Sequence, residues 1–576
     1  MSKERNMKKP LGFVVLFLVV FLLFTTFLTI TTQEAGAQES LTGTTVIESI
    51  KLFLERQPLL VLFLVVGLGY AIGGINIKGF SLGVGAVLFS GLAVGALVPK
   101  AQPPGMVGTL GLVLFLYGIG VQFGKQFFAG LASANGRRYN LLALLALLAA
   151  TGVTIAEMTL MRIPAPYMAG LFAGSGTNAA AMQAAMEAAK NNEPAIGYSV
   201  AFPFGLLGAI LCMYFVQLFL KPKIDIPTYD LKPIEVAIRS SDVIGRTLGE
   251  VTSRLPAGVQ VMALRVGDKN ILPAPGLLLG EGDVVCLSGN NSAALESALL
   301  MLGEHAPGSF LSDRGNLDYV QVFASKGNVV GLRLSELKFP EGIDARIIQV
   351  RRGDADLMPA PDLTLEFGDR VGLISARSHF ELIRKFFGNS IRSTTEFSYI
   401  SLGIGMVLGV LFGVIPFPIP VLGTLKVGIA GGVLIVALIL GKLRRTWGLT
   451  WTMPLSANLI LRNFGISIFL AQVGMSSGPK FVAAVQQSGM TFLIVGALIL
   501  FALALIPLLI GHYLMRIPFD DLLGITSGVT GTPAIPAYAY RVVPSDRVDI
   551  CYAMIYPTAT ISKIIIVQIL IAMGAG

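Results

Sequence analysis

The chain has 576 residues, of which 54% are hydrophobic and only 13% charged. Soluble domains carry about 25% charged residues, so this composition excludes an ordinary soluble protein. The net charge of +9 would suggest a nucleic-acid partner in a soluble chain. In a membrane protein it fits the excess of Lys and Arg in cytoplasmic loops, and no nucleic acid is expected. The cysteines Cys212, Cys286 and Cys551 form no CxxC, and the histidines His305, His379 and His512 lack metal-ligand spacing. A disulfide framework, a metal centre and a cofactor are therefore not expected. The sequence contains no GxxxxGK[ST] phosphate loop, which argues against ATP-driven pumping, and no catalytic triad or paired carboxylates, so an enzyme is not expected either.

In chain order, Lys3, Arg5, Lys8 and Lys9 precede an uncharged apolar run, Leu11–Ile30, and Ala35-Gly36-Ala37 then offers an A-x-A cleavage site. Residues 1–37 read as a signal peptide or, since the run is long for one, an N-terminal anchor. A first membrane repeat over 55–220 has predicted spans at 58–76, 79–98, 106–124, 139–161 and 195–220, with a broken segment at 165–189. Residues 221–310 and 311–395 read as two small α/β soluble domains. Pro273-Ala274-Pro275 in the first matches Pro359-Ala360-Pro361 in the second, and Gly282-Asp283 matches Gly368-Asp369. Strands are expected at Val259–Val266, Asp283–Ser288, Ala345–Val350 and Asp369–Ser375. A second membrane repeat over 396–576 has predicted spans at 397–415, 422–440, 454–474, 489–514 and 550–573, with a broken segment at 518–539.

The two membrane repeats overlay without a gap at an offset of 354 positions, Leu160 onto Leu514. LMRIP is identical in both copies; Gly170, Gly174, Tyr198 and Pro203 fall on Gly524, Gly528, Tyr552 and Pro557. With residue 57 outside and the broken segment re-entrant, Lys78, Lys125, Arg137, Arg138, Lys221 and Lys223 face the cytoplasm. So do Lys442, Arg444, Arg445, Arg516, Arg541 and Arg547 in the second half, leaving Lys100, Arg162, Lys190 and Lys480 outside. An odd number of spans per half then gives the halves inverted topology, the plan of many secondary transporters. The expected fold is a polytopic α-helical membrane protein: two inverted repeats of about five spans plus a broken re-entrant segment each, with the two soluble domains between them.

Candidate site residues cluster at the breaks. Gly174, Ser175, Gly176, Thr177 and Asn178 in the first copy, and Gly528, Thr530, Gly531, Thr532 and Pro533 in the second, interrupt apolar runs with turn-forming residues. Irregular backbone at membrane depth is tolerated only inside protein or along a water-filled cavity. A half-helix N-terminus there suits a carboxylate. Lys563 sits in the middle of the last predicted span, where a charge costs at least about 2.5–3.5 kcal/mol. Two roles are open for it: neutralising a substrate carboxylate, or pinning the broken helices. Arg462 is read equally well as snorkelling to the interface or as a site residue, Gln122 and Gln472 flank glycines of equivalent spans, and Glu157 is expected to pair with Arg162. Asp520 and Asp521 read as charges at a helix N-terminus rather than ion ligands.

The segments GLFAGSGTNAAAMQAA and GITSGVTGTPAIPAYA, the preceding FLYGIGVQFG and FLAQVGMSSG, and the two inserted units together resemble the aspartate:alanine exchanger family of bacterial antiporters. The inserted units, with TLGEV, LPAG, ILPAP and GEGD, resemble the C-terminal (RCK C-terminal) domain of regulators of potassium conductance. The resemblance implies an inner-membrane homodimer exchanging amino acids or small carboxylates, with a small regulatory ligand on cytoplasmic soluble domains. The expected function is a secondary antiporter; the alternative is a ligand-gated channel controlled by the soluble domains.

Overall fold

The computed structural model describes residues 43–574, except 76–81, 221–233, 257, 268, 290–291, 307, 309–316, 327, 353–354, 358, 367, 389–397, 420–422, 447, 532–534, 537, 540–542 and 544–545. The expected signal or anchor at 1–37 lies outside the described residues. The N-terminal helical half comprises α1 (Gly43–Glu55), α2 (Pro58–Gly73), α3 (Gly85–Leu97), α4 (Gly105–Ala132), α5 (Ala134–Met161), α6 (Ala165–Ser175), α7 (Ala179–Ala189) and α8 (Glu193–Leu220). After the soluble region come α12 (Tyr399–Val414), α13 (Gly428–Leu443), α14 (Leu455–Leu509), α15 (Phe519–Thr530) and α16 (Asp546–Gly574). Among the described residues six helical stretches are long and apolar enough to cross a membrane, or seven if α1 and α2, bent by 104°, form one span. The protein is a multi-pass membrane protein.

Chain composition accounts for where these helices stop. Ser133 separates α4 from α5 because its hydroxyl caps the second helix, accepting from the Gly136 amide at 3.0 Å. The equivalent position in the second half is Gln487, a good helix former, and there the chain stays helical. The predicted spans 454–474 and 489–514 thus run on as the single 55-residue α14, continued by a π-helical turn over Ile510–Leu514, and Leu455–Ala484 and Met490–Leu514 are each long enough to cross. The predicted spans 79–98, 397–415 and 422–440 shorten to α3, α12 and α13.

Glycines set how closely the two halves approach, and their contacts exchange under the 354 offset. A β-carbon on Gly111 would come within 3.0 Å of the Phe469 amide nitrogen, and one on the equivalent Gly465 within 2.9 Å of that of Phe115. Gly118 lies against Arg462, and Gly108, the counterpart of Arg462, lies against Gln472, the counterpart of Gly118. Gly170 and Gly174 pack α6 onto α8 as Gly524 and Gly528 pack α15 onto α16. Close backbone approach through small residues is how helices associate where lipid removes the hydrophobic drive.

The soluble region folds as two antiparallel sheets. The first runs through β1 (Ile234–Ile238), α9 (Leu248–Arg254), β2 (Val259–Val266), β3 (Lys269–Ile271), β4 (Val284–Gly289), α10 (Ser292–Leu302) and β5 (Gly303–His305), in the order β3-β2-β4-β1-β5. The second, β6 (Asp318–Phe323), β7 (Ala345–Arg352), β8 (Ala355–Leu357) and β9 (Arg370–Ser375), followed by α11 (Phe380–Phe387), has the order β6-β9-β7-β8. Equivalent bulges fall at Val261/Ala263 and Ile347/Gln349. They turn Met262 and Ala263, beside Cys286, toward Ile348 and Ile374, and these residues form the apolar contact between the modules.

The paired Gly-Asp segments are turns locked by their own carboxylates. Asp283 accepts from the Gly280 amide at 2.7 Å and Asp369 from the Glu366 amide at 2.8 Å. Asp369 is also held by Arg352 through two hydrogen bonds, at 2.8 and 2.7 Å. Burial pushes the Asp369 carboxyl up, and Arg352 opposes that by stabilising the anion. Arg352 reaches Glu366 at 2.9 Å, and Glu366 in turn receives Arg444, just past the end of α13, at 3.2 Å. This chain of charges ties the second module to the helical region. Asp369→Ala leaves Arg352 without its bidentate partner; we expect a loss of about 2–3 kcal/mol, measured as an earlier unfolding transition of the soluble modules.

Candidate functional site

The first break is a sharp local reversal. Helix α6 ends at Ser175, Thr177 takes the left-handed conformation with φ of 41°, and Asn178 starts α7 by accepting from the Ala181 amide at 2.8 Å. Short polar side chains tolerate such geometry at caps. In the second copy α15 ends at Thr530, and Gly531 has φ of 103°, a conformation that favours glycine. Thr532 and Pro533 lie outside the described residues.

The two breaks touch. Thr177 donates its hydroxyl to the Thr530 carbonyl at 2.6 Å, and a β-carbon on Gly531 would lie 2.8 Å from the Gly176 carbonyl oxygen. Both half-helices therefore present their C-terminal ends to one point, and each such end carries about half a negative charge. Lys563 answers this from α16. It is fully buried, and its Nζ donates to the Gly176 carbonyl at 2.8 Å and to the Val529 carbonyl at 2.6 Å. Remaining groups brace the junction. Ser175 donates to the Gly496 carbonyl at 2.8 Å, Asn178 to the Thr560 hydroxyl at 3.0 Å, and Tyr552 to the Gly531 carbonyl at 3.0 Å. Thr530 turns its hydroxyl back to the Thr526 carbonyl.

Beside the junction lies a cavity of about 320 Å³. Of the sequence-predicted site residues, Thr177 and Gly531 line it; Gly174, Ser175, Gly176, Asn178, Gly528, Thr530 and Lys563 build the scaffold behind. The rest of the wall includes Ala179 in the first turn of α7, the aromatic residues Phe115, Tyr198, Phe202 and Tyr556, and Arg462 and Asn463 of α14. Sequence reasoning did not place the aromatic residues in the site. The offset held a usable signal, because Phe202 and Tyr556 are equivalent positions and both face the cavity. Of the two readings of Arg462, the structure supports a place at the site. Its guanidinium is buried, donates to the Gln122 side chain and lies 5.6 Å from the Phe123 ring centroid. Gln472 instead hydrogen-bonds Ser476 within its own helix at 2.8 Å.

The acidic residues lie away from the cavity wall. Asp521 is held by Tyr139 at 2.6 Å and by Arg547 at 2.9 Å, and Asp520 reaches Arg547 at 3.3 Å, so both carboxylates anchor the first turn of α15. The expected Glu157–Arg162 pair does not form. Helix α5 ends at Met161, and Arg162 caps it in the left-handed conformation with φ of 53°, so the chain turns away from the face that carries Glu157. Glu157 points inward with neither carboxylate oxygen hydrogen-bonded, while Arg162 is exposed.

The profile of the predicted permease membrane region matches residues 61–218 and 401–572, on either side of the soluble modules. A TrkA-C domain matches 322–388, the second module. An uncharacterized transporter of Geobacter sulfurreducens is 40% identical over 90% of this chain and 99% of its own length. Uncharacterized transporters of Corynebacterium diphtheriae (34% identical, 89% of this chain, 98% of the relative) and Symbiobacterium thermophilum (35%, 90% and 99%) are similar throughout. Replacing Lys563 by Met leaves two buried helix C-termini facing each other uncompensated. We expect a loss of about 3–5 kcal/mol, read as a lower unfolding midpoint of the detergent-solubilised protein, against about 1 kcal/mol for Thr177→Val.

Proposed function

Because the chain belongs to the predicted permease family, whose similar members are transporters, we propose that it is a secondary active antiporter of the inner membrane. It exchanges amino acids or small carboxylates by alternating access around its two broken helices. The observation that carries this reading is the meeting of the breaks, Thr177 on Thr530, at the wall of a cavity sized for a metabolite. The exchange of glycine contacts under one offset supports a two-fold relation between the halves. With the odd number of spans expected in each, it supports inverted topology, in which motion of one half against the other exposes the site to alternate sides. In this reading Lys563 is a scaffold cation that holds the tips together, and the substrate binds in front of it.

The soluble modules are placed in the cytoplasm, on the side that positive charge selects. They report to the transporter through Glu366 and Arg444, the contact closest to the end of α13, which packs along α4 through Gly120 and Gly124. A small ligand on these modules and assembly as a homodimer complete the proposed regulation.

Counterflow in proteoliposomes tests the transport reading: preloaded amino or dicarboxylic acid should drive uptake of labelled external substrate. Macroscopic current without counter-substrate would instead establish the channel. Arg444→Gln is expected to change the exchange rate severalfold without changing which substrates are taken. An unaltered rate would remove the proposed contact from regulation.

A further inference from the structure

The cavity is electrostatically one-sided. Among the described residues that line it, Arg462 is the one that carries a charge. Its side chain is 7% exposed, its Nη1 donates to Gln122, its Nε has no hydrogen-bond partner, and no carboxylate forms an ion pair with it among the described residues. A buried guanidinium without an anion is costly, and it is retained here on the wall of a cavity. On the same wall α7 begins. Asn178 satisfies the Ala181 amide, which leaves the amides of Ala179 and Ala180 ahead of the intrahelical ladder, with Ala179 at the cavity surface. The partial positive charge of that helix start adds to the charge of Arg462.

The carbonyls at the junction already accept hydrogen bonds. The Gly176 and Val529 carbonyls accept from Lys563, the Thr530 carbonyl from Thr177, and the Gly531 carbonyl from Tyr552. Among the described residues no Asp or Glu lines the cavity. A substrate ammonium would meet the hydroxyls of Tyr198 and Tyr556 and the amide of Asn463, all neutral, in the field of an unpaired arginine. Apolar side chains of Phe115, Phe202, Ile466 and Leu470 cover much of the remaining wall.

Resting on the transporter reading above, we propose that Arg462 is the seat of a substrate carboxylate, and that the site takes a small carboxylate anion lacking an α-ammonium group in preference to the matching amino acid. Arg462 offers a planar fork to the carboxylate, the first turn of α7 supplies amide donors, and the aromatic wall contacts the carbon chain.

Binding to the purified full-length protein tests this with matched pairs: succinate against aspartate, propionate against alanine, and neutral succinamide as a control. Wild-type protein should bind succinate at least about tenfold more tightly than aspartate and show no binding of succinamide. Arg462→Gln should weaken succinate about 100-fold, a loss of the size expected for a charge-assisted pair, while Arg462→Lys retains part of the affinity. Equal or tighter binding of aspartate, unchanged binding by Arg462→Gln, or no binding of any carboxylate would each overturn the proposal. If Arg462→Gln does not fold, the wild-type comparison decides alone. Carboxylate binding without counterflow would defeat the transporter reading and leave this assignment standing. Counterflow indifferent to Arg462 would do the reverse.

Discussion

One buried ammonium organises the centre of this protein. Two half-helices, one from each copy of the repeat, end facing each other, and helix ends of like polarity repel in a medium with little screening. Lys563 places a full positive charge between them and hydrogen-bonds one carbonyl from each. The polarity of the two tips sums to about one negative charge, so a single cation suffices. That explains why only one copy of the repeat carries it: the first-half counterpart is Ala209, which is buried and uncharged. A duplicated architecture with one shared junction needs one counter-charge, and the asymmetry in sequence follows from the symmetry in space.

The rest of the helical region delivers the tips to that point. Glycines at the helix crossings allow backbones to approach until tip meets tip, and Pro203 and Pro557, at equivalent places inside α8 and α16, each remove a backbone donor from the helices that support the half-helices. The acidic residues Asp520 and Asp521 are consumed in holding the entrance of α15 to Arg547. Among the described residues Arg462 brings a charge to the cavity wall, and Gly118 makes room for it: a β-carbon there would come within 2.6 Å of the arginine side chain. The scaffold cation and the cavity cation are thus separate groups with separate surroundings.

The soluble modules follow the same economy of design. Each uses a Gly-Asp turn closed by its own carboxylate, and in the first Glu281 of that turn pairs with the exposed Arg239, which also reaches Glu304. In the second, Arg352, Glu366 and Arg444 continue outward from Asp369 to the end of α13. Its members share partners, so removing one leaves a charge of the next without its counterpart. The first module meets the second through an apolar contact, Met262, Ala263 and Cys286 on Ile348 and Ile374.

What the amino-acid order determined by itself is what depends on local composition and repetition. Apolar runs marked the helices, of which six or seven among the described residues are long enough to cross, an ungapped offset located the two breaks, and alternation with turn residues identified four strands close to their observed bounds. Positive φ at Thr177 and Gly531 was legible as small polar residues and glycine at equivalent places. Tertiary structure alone decided what depends on which groups face each other across hundreds of residues. It put Lys563 on two carbonyls, turned Arg462 to the cavity, and joined α14 across the position where Ser133 breaks its counterpart. Glu157 and Arg162 show the same limit at short range, since the helix ends between them and leaves Glu157 buried and Arg162 exposed. A charge in an apolar span announces that a partner is needed; only the fold supplies the partner, because the energy of a buried charge depends on the atoms around it and not on its neighbours in the chain.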